Sequence, residues 1–308
     1  MLLTMKTSLP VVTRVYQNHH LDSTRWNYFQ PRKDDIVIAT SYKSGTTWTQ
    51  GIVWQLLALH QTLTPFGEAS PWLDRRGRQP IEEVIAQLER QTHRRFIKTH
   101  LALDGLPYFP QVKYLVVARD ARDVFMSLWN HYSHYTAEQY ASLNDTPGRV
   151  GPPMPQCPDD IHAFWREWMT RGWFSWESEG YPFWGNLHHT ASWWEYRNLD
   201  NILFVHFHDL RNNLTVEIRR IADFLDVSVS DEALAKIAQA VSLEAMREEA
   251  ERTDAALVKS FDGGAATFFF KGINGRWKDV LSPEELELYE RKVTEVLTPE
   301  AREWIERG

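Results

Sequence analysis

Three short stretches carry residues whose types and spacing suit the handling of an anionic donor. Lys43-Ser44-Gly45-Thr46-Thr47-Trp48 supplies a cation, a glycine and hydroxyls just ahead of an apolar helical pattern. Phosphate binding at a helix start needs free backbone N–H groups, hydroxyls and a nearby positive charge. The same segment also reads as an ordinary strand-to-helix turn that happens to contain a lysine. It departs from the G-x-x-x-x-G-K-[ST] loop of metal-bridged triphosphate sites. Thr46, not lysine, follows Gly45, and Thr40 stands where the first glycine would be. A second stretch, Lys98-Thr99-His100, sets a histidine two residues after a lysine. A histidine titrates near neutral pH and can act as a general base, and the lysine can meet charge on a transferring group. With 12 histidines in the chain, a structural role competes with that reading. In the third, Arg119 precedes Ser127 by eight residues. The two can face one phosphate, or Arg119 can belong to a surface Arg/Asp cluster.

The elements that must position these groups alternate between strand and helix patterns, which predicts an α/β fold with a central parallel sheet flanked by helices on both faces. Ile36–Thr40 is an apolar, β-branched run with the character of a buried strand. Trp48, Ile52, Leu56 and Leu59 then mark one helical face. Further strands are expected at Phe96-Ile97, leading into Lys98, at 114–118, ending just before Arg119, and at 202–207. Helices are expected after Arg119, at about 215–225, and twice between 231 and 251. Ser282-Pro283-Glu284-Glu285 has the composition of a capping box with proline in the first turn, opening a last helix towards Val296. Residues 136–160 carry five prolines and two glycines and read as an irregular, lid-like loop. Residues 260–275 mix glycines with Phe268-Phe269-Phe270 and read as a loop folded over something.

The bulk properties narrow the classes of function. The chain has 308 residues, 43% hydrophobic and 24% charged, enough to bury a sizeable core in one large α/β domain or two modest ones, of which a single domain over residues 1–308 is the reading adopted. A net charge of -7 argues against nucleic acid as the main partner but leaves room for a local basic cleft. Cys157 is alone, so no internal disulfide is expected. The N-terminal residues lack the order of a signal peptide and no run is long enough to span a membrane, which makes the cytoplasm the expected location. Fourteen tryptophans, several between Trp165 and Trp194, fit core packing and an aromatic acceptor pocket equally well.

At the phosphate loop a resemblance emerges. The run from Asp35 to Trp48 is similar to the 5′-phosphosulfate loop of the cytosolic-type sulfotransferases, with Ser41-Tyr42 where the family has Tyr-Pro. Lys98-Thr99-His100-Leu101 resembles the family's Lys-Thr-His-Leu-Pro, with Ala102 in place of the proline. Arg119 and Ser127 match its 3′-phosphate pair. Phe270-Lys271-Gly272-Ile273-Asn274-Gly275-Arg276-Trp277-Lys278 resembles its Arg-Lys-Gly-x-x-Gly-x-Trp-Lys, with Phe270 at the arginine. Ser70-Pro71-Trp72-Leu73-Asp74 looks like an element beside the acceptor site.

The resemblance implies a P-loop-like sulfotransferase fold and an enzyme that uses 3′-phosphoadenosine 5′-phosphosulfate (PAPS) without a metal. It implies His100 as the base, Lys43 at the bridging oxygen and Lys98 at the sulfuryl oxygens. Ser44, Gly45, Thr46 and Thr47 would hold the 5′-phosphate, Trp48 would stack on adenine, and Arg119, Ser127, Lys271 and Gly272 would hold the 3′-phosphate. A small-molecule hydroxyl, apolar or aromatic, is the expected acceptor, with about 134–190 covering it. Phe270 removes one charged contact unless Arg276 or another side chain replaces it, and predicts somewhat weaker donor binding. A homodimer is a further possibility, although Ser282-Pro283 stands at the centre of the family's dimer motif. The competing readings are an ATP- and magnesium-dependent kinase and a non-catalytic nucleotide-binding module.

Overall fold

The computed structural model describes residues 8–77 and 79–307. The expectation that the first residues form no leader peptide falls largely on 1–7, outside the described residues. Four strands, β1 (Ile36–Thr40), β2 (Phe96–Thr99), β3 (Lys113–Ala118) and β4 (Ile202–His206), form one parallel sheet in the order β2-β1-β3-β4. Ile36 stands beside Phe96 on one side and Lys113 on the other, and Ala118 beside His206.

The sheet is covered on both faces, which explains strands whose central residues are apolar on both sides, with the polar members Thr40, Lys98, Thr99, Lys113 and His206 at or near their ends. Val37, Ala39, Tyr114 and Val116 pack into one core with Phe125, Trp165 and Trp193. Their neighbours Ile36, Ile38, Leu115 and Val117 pack into a second core with Ile52, Leu56, Ile218 and Ile221. Trp165, Trp168 and Trp193 are fully buried, and each indole N–H finds an oxygen: Glu285, Tyr42 and Leu101 respectively. This part of the tryptophan-rich region is therefore core.

β1 connects to β2 on one side, and the chain then crosses to β3 on the other. Such a switch opens a crevice at the carboxyl ends of the two central strands, where α/β sheets bind ligands. The loops beginning at Ser41, His100 and Arg119, and the helix that starts at Phe207, all leave the sheet at this edge.

Three expectations need correction. Residues 136–160 are not wholly irregular: Ala137–Asn144 is a helix, N-capped by the Thr136 hydroxyl. The prolines and glycines that break the pattern begin only at Pro147, and the segment before them has no helix breaker. Within 260–275, Gly264–Phe268 forms a short helix. Phe207 does not end the fourth strand; it starts the helix Phe207–Asn212, capped by the His206 side chain. The Ser282 capping box is present, with both reciprocal bonds, and the helix Pro283–Val296 is followed by another, Pro299–Glu306, that the periodicity did not suggest. No helix among the described residues is long and apolar enough to cross a membrane.

Candidate active site

The loop after β1 turns sharply because two residues adopt left-handed backbone, Lys43 at φ 59° and Gly45 at φ 105°. A Cβ on Gly45 would lie 3.0 Å from the Phe207 ring, so glycine answers both the dihedral and the close approach. The helix Thr46–Ala58 starts immediately afterwards with no side-chain cap, leaving its first N–H groups to the cavity in front of them. Thr46, Thr47 and Trp48 line that cavity; Ser44 does not. The Ser44 hydroxyl instead meets Ser41 Oγ at 2.9 Å, and Ser41 in turn accepts from Asn186. Tyr42 receives the Trp168 indole N–H at 2.8 Å and packs against Phe183 and Trp184. The Ser41-Tyr42 pair thus anchors the loop by its own contacts.

At the end of β3, Arg119 is 5% exposed and stacks 4.1 Å from the Phe207 ring centre. Its N–H groups reach the Ile273 carbonyl at 2.9 Å, Asn274 Oδ1 at 2.8 Å and, more distantly, the Lys43 carbonyl at 3.4 Å. These partners are neutral oxygens, so the guanidinium is oriented while its charge remains available to an anion. Burial pulls its pKa down to about 10, against the nearby Asp123 and Asp120. Asp123 Oδ1 accepts the Gly275 N–H at 2.7 Å and joins the 270–278 segment to the helix Ala121–Tyr132. Arg119, Ser127, Lys271, Gly272, Arg211 and Arg276 all face the same cavity. Arg276 stacks on Phe270 at 5.1 Å, and both Arg276 and Arg211 act on Arg119 electrostatically. Arg276, the replacement expected for the charge missing at Phe270, and Arg211, which no motif marks, therefore both face this side of the cavity.

His100 follows β2 and is 7% exposed. Its Nδ1 lies 2.8 Å from the Thr40 carbonyl, an oxygen that can only accept. Nδ1 therefore carries the hydrogen and Nε2 the lone pair. Burial, then the charge of Lys98, pulls its pKa down to about 3, so the ring is neutral. His131, which no motif marked, lines the same cavity, and its Nδ1 lies 3.1 Å from Lys43 Nζ, within hydrogen-bond distance. Burial, then Arg119, lowers Lys43 to about 7, and its Nζ also lies 4.8 Å from the Phe268 ring centre. Lys98 Nζ sits 4.9 Å from the Trp72 ring centre. Thr99 is not part of the reacting set: its hydroxyl donates to Asp74 and accepts the Leu101 N–H.

Both ends belong to one continuous cavity of about 440 Å³. Its far end is walled by Trp72, Phe183, Trp184, Phe261 and Phe268, with His20, Arg75, Tyr135 and Gln139 among them. Trp72 meets the His100 ring edge-on at 4.7 Å. Of the tryptophan-rich region, Trp184 is the member that reaches this wall. Most of these residues stand singly in the sequence, with no local pattern to mark them. Among the described residues, no group of three or more His, Cys, Asp and Glu could hold a metal ion.

Comparison with known proteins identifies the family. A sulfotransferase domain model matches residues 33–299. A glycolipid sulfotransferase of Mycobacterium bovis is 31% identical, over 99% of this chain and 98% of that protein. Sulfotransferase 1B1 of Canis lupus familiaris is 30% identical, over 85% of this chain and 83% of the relative. Among solved structures, mouse sulfotransferase SULT7A1 complexed with PAP superimposes with a TM-score of 0.67 at 23% identity, over 91% of this chain and 90% of that one. Retinol dehydratase in complex with androsterone and inactive cofactor PAP also reaches 0.67 at 23% identity, over 90% and 84%. With the family model spanning residues 33–299 and a relative 31% identical along nearly the whole length of both proteins, the chain belongs to the sulfotransferase family.

Proposed function

We propose that this protein transfers the sulfuryl group of PAPS to the hydroxyl of a small apolar or aromatic acceptor by in-line displacement at sulfur. The observation that carries the reading is the tautomer of His100. With Nδ1–H held by the Thr40 carbonyl, Nε2 is a ready proton acceptor in the cavity that also holds Lys43 and Lys98. The acceptor oxygen bonds to sulfur, its proton passes to His100 Nε2, and the bond from sulfur to the bridging oxygen breaks. Lys43 meets the negative charge that collects on that oxygen, and Lys98 meets the sulfuryl oxygens.

The low pKa of His100 does not oppose this role. It reflects burial beside Lys98, Arg75 and Lys43, and a polyanionic donor among those cations raises it again. The helix start at Thr46, with Gly45 and Thr47, is the seat for the 5′-phosphate. Arg119, Ser127, Lys271 and Gly272 form the seat for the 3′-phosphate, with Arg276 and Arg211 in support. Ser44 serves by holding the loop through Ser41. Trp48, edge-on to Phe207 at 5.6 Å, is placed to border the adenine.

A hydroxyl on a glycolipid is the second reading of the acceptor, favoured by the full-length likeness to the mycobacterial protein named for that substrate. The reaction class is tested by calorimetric titration with 3′-phosphoadenosine 5′-phosphate (PAP) against ATP with magnesium. Tight PAP and weak ATP support it; the reverse order turns the reading to a kinase. PAP binding without turnover of PAPS on any hydroxyl leaves a nucleotide-binding module.

A further inference from the structure

We propose that His131 is a positioning residue for the transfer: it holds the Lys43 side chain where the donor and acceptor ends of the cavity meet, so that the ammonium faces the leaving oxygen. The proposal rests on the sulfotransferase reading, in which Lys43 meets that oxygen. A lysine charge rides on a flexible four-carbon stem, and it acts at one spot only when its far end is held. The near end of Lys43 is set by its left-handed backbone, φ 59°. The far end lies between two side chains: Nζ is 3.1 Å from His131 Nδ1 and 4.8 Å from the centre of the Phe268 ring.

The helix Ala121–Tyr132 carries His131 to that place. Asp123, Ser127 and His131 follow one another at intervals of four, which puts them on one helical face, and all three line the cavity. Asp123 Oδ1 accepts the Gly275 N–H at 2.7 Å, at the donor end. His131, about two turns further on, is in ring contact with Phe261 at 4.5 Å, Tyr135 at 5.2 Å and Phe268 at 5.6 Å, on the aromatic wall. One helical face therefore runs from the seat proposed for the 3′-phosphate to the acceptor wall, and His131 is the member of it that reaches Lys43.

The chemistry of the pair suits holding without neutralising. An ammonium carries several N–H donors and no acceptor, so when Lys43 is charged one N–H serves His131 Nδ1 and the others remain for an anion. Burial, then the charge of Lys43, keeps the imidazole well below its ordinary pKa, so the partner is neutral. A carboxylate in the same place would cancel the charge that the donor needs. The other groups acting on the pair, Arg119, His20, His100 and Lys98, are basic. Arg119 is held in the same manner, by the neutral oxygens of Ile273 and Asn274.

In PAP the leaving oxygen is an oxygen of the 5′-phosphate, so binding alone reports on Lys43. The test is calorimetric titration with PAP and with adenosine 3′-monophosphate, which lacks the 5′-phosphate. It is run on wild type, His131→Phe, His131→Asn, Lys43→Met and the double variant of Lys43→Met with His131→Phe. His131→Phe should weaken PAP by about tenfold and leave adenosine 3′-monophosphate within about twofold of wild type. On the Lys43→Met background the same substitution should weaken PAP no further, because His131 acts through the lysine. His131→Asn, whose amide oxygen stands close to the place of Nδ1, should recover part of the loss. Equal loss of both ligands or no loss of PAP in His131→Phe, full loss again on the Lys43→Met background, or no recovery in His131→Asn overturns the proposal while the sulfotransferase reading stands. Should His131→Phe fail to fold, NMR of the histidine ring nitrogens decides. The His131 signal, identified by its absence in His131→Asn, must shift on Lys43→Met, and an unmoved signal overturns the proposal. Failure of wild type to bind PAP overturns the sulfotransferase reading itself, and the proposal with it.

Discussion

The two ends of the cavity are built by different rules. At the end proposed for the donor most groups come from contiguous motifs, the turns after β1 and β3 and the 270–278 segment, and neutral oxygens such as Ile273 O and Asn274 Oδ1 hold the Arg119 cation in place. At the acceptor end the wall is assembled from single residues: His20, Trp72, Arg75, His131, Tyr135, Gln139, Phe183, Trp184 and Phe261. A phosphate presents the same oxygens in every reaction, so backbone turns at fixed spacing can serve it. An organic acceptor needs shape, and shape is made by side chains from many loops, which the fold does not dictate.

If this division holds, changes at the two ends should separate binding from chemistry. His100→Ala should lower kcat by about 10²- to 10⁴-fold, measured with any working acceptor, while calorimetric affinity for PAP stays near wild type. A variant with normal turnover would remove the base from the comparison. Arg119→Ala should act in the opposite register and weaken PAP by roughly a hundredfold, since a buried cation with oriented donors is lost. Arg119→Lys should fall between, because it keeps charge but not the fork.

The next effect is a pH dependence. Lys43 attracts an anion only as the ammonium, and its pKa in the free protein is about 7. The charge is present below that value and lost above it. PAP affinity should therefore decline from pH 7 to pH 9, by at most about tenfold per unit, and Lys43→Arg should flatten the decline. A flat wild-type profile would place Lys43 outside the donor site. The smallest change is a gain. Phe270→Arg should tighten PAP by only a few-fold, because Phe270 is 36% exposed and Arg276 and Arg211 already face that side. A much larger gain would mean that those two arginines do not compensate.

The same division explains what could be read without coordinates. Ile36–Thr40, the lysine and glycine after it, Lys98 to His100 and Arg119 to Ser127 are each local patterns, and the strands and turns they predict are present. Phe270 was legible as a departure, but Arg211 was not legible as its compensation, since the two are far apart in the chain. Ser44 looked like a phosphate contact because its hydroxyl sits in the motif; its turn towards Ser41 depends on Asn186, which lies beyond any local window. The helix Ala137–Asn144 was hidden by the prolines that follow it, although its own residues form an uninterrupted turn-by-turn segment. His131 belongs to no motif, and its bond to Lys43 depends on an approach between residues far apart in the chain.

The contacts of Arg119 with Ile273 and Asn274, and of Asp123 with Gly275, fasten a segment some 150 residues downstream across one side of the donor end. That coverage bears on residence as well as place: under the proposed reaction the product nucleotide would leave past this segment, and loosening Asp123 from Gly275 is expected to speed PAP dissociation while weakening PAP affinity.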